Sequence, residues 1–142
     1  MTLKSPIVID TNIVLDMLVF RDMATFPLQA ALAAGEVDWL ATTPMRNELA
    51  RVLTYAQIIP RLTFYQLSAD DVMAAFDRQS RILAVAPKAG VTCSDADDQK
   101  FIDLAVAHQA PLLSKDKAVL VMTRRLQVLG VRVTRALERA TL

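Results

Sequence analysis

Ile7-Val8-Ile9-Asp10-Thr11-Asn12 is a short apolar run that stops at an acid, and the three hydrogen-bonding side chains Asp10, Thr11 and Asn12 open the next element. The run is rich in β-branched residues and has Pro6 just ahead of it, the pattern of a buried parallel strand. Ligands of an open α/β sheet bind in the crevice beyond the carboxyl ends of its strands. Asp10 stands at that edge. Whether other acids arrive there decides what the chain can do.

A length of 142 residues, 54% of them hydrophobic, suits one domain over 1–142 with a real core. The net charge of +1 excludes a strongly basic protein, so any nucleic-acid contact must come from a local patch. One cysteine, Cys93, excludes an internal disulfide and a cysteine-based zinc site, and a reducing compartment suits it. The first residues lack the apolar core of a signal peptide, and no apolar run approaches the ~20 residues that span a bilayer. The expectation is a cytoplasmic protein without a membrane partner.

From Asn12 to Phe20, apolar residues repeat at helical spacing, with Thr11 or Asn12 as cap. A second helix is expected from Phe26 to Ala34, stopped by Gly35, and then a strand over Val37–Thr42. Thr42-Thr43-Pro44 starts a helix that runs to about Ala56, where Ile58-Ile59-Pro60 ends it. One or two helices follow between Thr63 and Gln79, with Ser68 as a cap, and Ile82–Pro87 reads as a strand. Cys93 to Asp98 leads into a helix with Phe101, Leu104, Ala105 and His108 on one face, which makes His108 a partly buried core histidine. Pro111–Ser114 is a strand, a helix reaches about Leu129, Gly130 stops it, Val131–Thr134 is an edge strand, and a short helical tail ends the chain. This alternation predicts an α/β fold, a three-layer α/β/α sandwich around a mostly parallel sheet.

Taken singly, Asp10, Asp95, Asp97, Asp98 and Asp116 can each be a helix cap, a role that contributes roughly 0.5–2 kcal/mol. Their joint placement argues for more. Asp10, Asp98 and Asp116 sit on the strand-to-helix side of three βα units, and Glu48 borders the apolar stripe of the helix after another strand. Carboxylates gathered there raise one another's pKa unless a cation neutralises them. An oxygen-only set suits Mg²⁺ or Mn²⁺ rather than zinc.

Four segments, Val8-Ile9-Asp10-Thr11-Asn12, Asn47-Glu48-Leu49-Ala50-Arg51, Asp95-Ala96-Asp97-Asp98-Gln99-Lys100-Phe101 and Ser114-Lys115-Asp116, resemble in type and order the acidic motifs of PIN-domain ribonucleases, above all the toxin components of bacterial and archaeal toxin–antitoxin pairs. The resemblance covers about residues 7 to 134. It implies a flavodoxin-like sandwich and a Mg²⁺- or Mn²⁺-dependent endoribonuclease acting on RNA. Asp10, Glu48, Asp98 and Asp116 match the metal-binding acids, Asp95 is a further helper, and Thr11, Asn12 and Ser114 match the polar positions that orient them. It also implies a homodimer and a small antitoxin protein as partner.

Lys115 departs from the pattern, since relatives usually carry glycine there. It can contact phosphate, or its ammonium can compete with a second metal. Arg46, Arg51, Lys100 and Lys115 surround the acids in the way a phosphate grip requires, and a solvated surface explains them equally well. Two other readings stay open: a degenerate PIN module that binds RNA or a protein without cutting, and a receiver-like phospho-accepting domain. The second lacks paired acids after the first strand and an acid after Ile82–Ala86.

Overall fold

The structure is a computed structural model that describes residues 4–137. Five parallel strands form one sheet in the order β3-β2-β1-β4-β5: β1 Ser5–Ile9, β2 Val37–Ala41, β3 Ser80–Ile82, β4 Leu112–Leu113 and β5 Val133–Thr134. Among the described residues, eight α-helices complete a three-layer sandwich: α1 Thr11–Leu18, α2 Phe26–Ala33, α3 Thr43–Val52, α4 Ile59–Phe64, α5 Ala69–Gln79, α6 Gln99–His108, α7 Lys117–Leu120 and α8 Thr123–Val128. The chain runs outward from β1 through β2 to β3, then crosses back to β4 on the other side of β1. The gap between β1 and β4 is therefore the switch point at which α/β sheets bind ligands.

Ile7, Val8 and Ile9 are all buried, as a central strand covered on both faces requires. α6 packs on β1 and β4, while α1, α3 and α5 pack on one another. Trp39 of β2 meets Phe76 of α5 edge to face, with ring centroids 5.0 Å apart. Ser68 and Asp71 close a reciprocal capping box at the start of α5. Gly35 and Gly130 take positive φ where α2 and α8 end, as their sequence positions predict. Among the described residues, no helix is long and apolar enough to cross a membrane.

Several expectations are corrected. Ile82–Pro87 is not a strand, because β3 ends at Ile82 and the last ladder bond is Leu83 N–H to the Ala41 carbonyl at 2.8 Å. There β2 gives way to α3, leaving the later residues no partner to pair with. Pro60 starts α4 rather than only ending its predecessor, and α3 stops at Val52. The helix expected up to Leu129 is two short helices, α7 and α8. Neither Thr11 nor Asn12 caps α1; Asp10 holds the N-cap position without a side-chain bond. Of the tail, Arg135–Leu137 form no helix, and residues 138–142 lie outside the described residues.

Candidate metal centre

The sheet pairing of β1 and β4 outlasts the strands by one residue, with Asp10 N–H donating to the Leu113 carbonyl at 2.8 Å. Ile9 lies opposite Leu113, so the next residues, Asp10 and Ser114, meet at the switch point. Ser114 is completely buried, and its hydroxyl donates to Asp10 Oδ2 at 2.6 Å. The same oxygen accepts the Asp116 amide at 3.1 Å. One hydroxyl thereby ties the acid after β1 to the acid after β4. Asp116 Oδ1 also accepts the Ala118 amide and caps α7.

Asp98 arrives from the third direction, at the end of the 3-10 turn Ala96–Asp98 that leads into α6. One carboxylate oxygen from each of Asp10, Asp98 and Asp116 lies within 4.8 Å of the others. Asp10 and Asp98 are buried, and Asp98 Oδ2 has no hydrogen-bond partner. Burial pushes the Asp10 pKa up to about 6; the charges of Asp116 and Glu48 add to this, against the Ser114 hydroxyl and the Thr11 amide. Asp98 rises further, to about 8, through burial and then the charges of Asp10 and Asp116 and a hydrogen bond with Asp116. Protein groups alone leave this negative charge uncompensated. Three carboxylates with no nitrogen or sulphur donor, one oxygen of them buried and unpartnered, fit a hard divalent cation such as Mg²⁺ or Mn²⁺.

Glu48 stands beside this trio rather than within it. Its Oε2 accepts a short hydrogen bond from the Thr11 hydroxyl, and its Oε1 accepts from Lys100 Nζ at 2.9 Å. Lys100 also donates to the Asp97 carbonyl and lies over the Phe101 ring. Thr11 therefore orients Glu48, and Ser114 orients Asp10. Asn12 does not orient the acids through its carbonyl, since its Oδ1 is buried without a hydrogen-bond partner. Asp95 is exposed and accepts the Asp97 amide at 2.9 Å, a capping contact on the rim.

The basic residues divide. Arg46 makes a two-bond ion pair with Asp77 of α5, at 2.8 and 2.9 Å, and braces α3. Arg51 is exposed, against the Tyr55 hydroxyl and within the field of Glu48 and Asp97. Lys115 turns onto Asp16 of α1 with Nζ 2.7 Å from Oδ2. His108 is exposed, at the last position of α6 before left-handed Gln109, because the helix face does not reveal where the sheet beneath it ends. Cys93 is buried, with its thiol donating to the Ala118 carbonyl.

Sequence reasoning missed Asp16 and Thr42. Asp16 is an acid between the buried Leu15 and Met17, a position that demands a partner. Thr42 follows β2 where the β1–β2 register, carried on from Val8 opposite Leu40, sets it beside Asp10; its buried hydroxyl lacks a partner and does not cap α3.

The sequence matches the family model described as PIN domain over residues 6–118, a span that takes in all four motif acids. No curated protein matches the chain.

Proposed function

The chain belongs to the PIN-domain family, and from that premise we propose that it is a metal-dependent endoribonuclease that hydrolyses RNA phosphodiester bonds. PIN domains are generally nucleases, and the site offers a cluster of oxygen ligands. The observation that carries the reading is the trio of buried Asp10, buried Asp98 and half-buried Asp116, each with a carboxylate oxygen within 4.8 Å of the other two.

Asp10, Asp98 and Asp116 would hold Mg²⁺ or Mn²⁺ at the switch point. A cation bound there supplies Lewis-acid activation of water and neutralises charge at the phosphate during an in-line displacement. Ser114 keeps Asp10 and Asp116 in register for that task. Glu48, oriented by Thr11 and Lys100, adds negative charge on the α3 side, with Asp95 further out on the rim. Arg51 is exposed beside these acids and would meet the phosphate of the incoming strand, with Lys100 next to it. Arg46, Lys100 and Lys115 all hold ion pairs in the free protein, so Arg51 is the basic residue of this group that carries the phosphate reading.

Lys115, the departure from the family pattern, pairs with Asp16 rather than with the trio, which supports the catalytic reading over a degenerate module. The resemblance of the four motifs to those of toxin components supports a toxin's role, and a small antitoxin inhibitor and a homodimer are what that resemblance implies. The test is cleavage of single-stranded RNA with Mg²⁺ or Mn²⁺ by the unmodified protein and by Asp10→Asn. Cleavage by the first and its loss in a folded variant are expected; undiminished cleavage by that variant sinks the assignment.

A further inference from the structure

Lys115 is flanked by Ser114 and Asp116, the two residues whose hydrogen bond fixes the Asp116 side of the trio. A flexible four-carbon stem carrying a compact charge at that position adjoins Asp116, one of three clustered carboxylates that would attract it. Its ammonium instead sits on Asp16 Oδ2 at 2.7 Å. Asp16 is six residues into the helix that Asp10 opens, which places it about 9 Å further along the axis. It is buried against α1's apolar neighbours, whereas Lys115 is half exposed. A buried, unpaired carboxylate is costly, so Asp16 holds its partner firmly. Lys100, the other lysine close to the acids, is likewise bound outside the trio, on Glu48.

We propose that Asp16 is a positioning residue that holds the Lys115 ammonium away from the Asp10–Asp98–Asp116 trio and so keeps those carboxylates open to a divalent cation. The proposal rests on the cation-site reading given above. Without Asp16, Lys115 is free to neutralise the trio itself, and the divalent cation must displace it. Lysine then takes the place that the orphaned Asp98 oxygen reserves for a metal.

The experiment is calorimetric titration of Mn²⁺ into four forms of the full chain: unmodified, Asp16→Asn, Lys115→Met, and the double variant, with thermal melts to verify folding. Asp16→Asn is expected to weaken Mn²⁺ binding about tenfold or more, since it releases a positive charge beside the ligands. Lys115→Met alone should bind as tightly as the unmodified protein or more tightly. The double variant should return to within about threefold of it, because no ammonium remains to compete. A plain brace between α1 and the β4–α7 loop predicts otherwise: both single variants weaken binding alike and the double variant does not recover. That pattern overturns the proposal. So does a loss of Mn²⁺ affinity in Lys115→Met, an arm that decides the matter even if Asp16→Asn fails to fold. Absence of Mn²⁺ binding by the unmodified protein overturns the cation site itself, and the two failures are thus told apart.

Discussion

Asp98 places a carboxylate oxygen out of reach of any donor, beside Asp10 and Asp116, and that arrangement costs folding free energy whenever the three are ionised together. Removing one charge without changing the side chain's shape relieves the strain and removes a ligand in the same step. Asp98→Asn is expected to raise the melting temperature of the metal-free protein at pH 8, on the order of 5 °C. It should also abolish the further rise that Mn²⁺ gives the unmodified chain. A variant that melts lower, or that Mn²⁺ still stabilises, contradicts this account. Ser114 works in the opposite sense, since its single hydroxyl serves Asp10 and the Asp116 amide together. Ser114→Ala leaves both groups short of a partner inside the protein, at about 1–3 kcal/mol by urea titration. It should weaken Mn²⁺ binding by roughly 10–100-fold, the usual effect of losing a residue that orients a metal ligand. Unchanged affinity would mean that the strand ends alone position the two acids.

Elements whose ends are marked by local chemistry were legible in the sequence. β1 ends at Ile9, just before Asp10; Gly35 and Gly130 follow the ends of α2 and α8; and the Ser68 box opens α5. Gly130 permits a quantitative check. Its φ is +84°, and a Cβ there would lie 2.9 Å from the Gln109 side-chain nitrogen, which itself donates to the Leu129 carbonyl. Gly130→Ala should therefore destabilise the fold by about 1–2 kcal/mol, read as a lower urea midpoint at unchanged slope. A neutral result would mean that Gln109 moves aside and the turn relaxes. Elements defined by a distant partner were not legible. β3 ends where β2 turns into α3, which no pattern in residues 80–87 reveals. The site divides along the same line. Three acids could be placed because each follows a strand or opens a helix. The pairings that surround those acids join residues far apart in the chain, 37 residues for Thr11 and Glu48, 52 for Lys100 and Glu48, and 99 for Lys115 and Asp16. Pairings at that separation are set by packing, and for that reason Lys115 read as an intruder in the sequence and is a paired residue in the structure.

Across the whole molecule, two groups of acids pull stability in opposite directions with pH. Asp38, Asp71 and Asp77 have lowered pKa values, through the hydrogen bonds of Arg81, of the Ser68 amide and of Arg46 respectively. Their contribution is present above the unfolded value near 3.8 and is lost as pH falls through the folded one, though exposure and solvent screening keep it small. Asp10 and Asp98 have pKa values raised to about 6 and about 8, so the folded chain binds more protons than the unfolded chain between pH 4 and pH 8. Their contribution is present in full below the unfolded value and disappears as pH rises through the folded ones. For Asp10 alone the loss is on the order of 3 kcal/mol. The metal-free protein should therefore be most stable near pH 4, with its melting temperature falling steadily from there to pH 8. Mn²⁺ binds the ionised carboxylates and competes with those same protons. Saturating Mn²⁺ should then raise the melting temperature little at pH 5 and most at pH 8, flattening the profile, and excess chelator should restore the slope. Melting curves at half-unit steps between pH 5 and pH 8, with Mn²⁺ and with chelator, measure both quantities at once. A metal-free profile that is flat or rising over that interval would mean that the three carboxylates do not share a buried, uncompensated site.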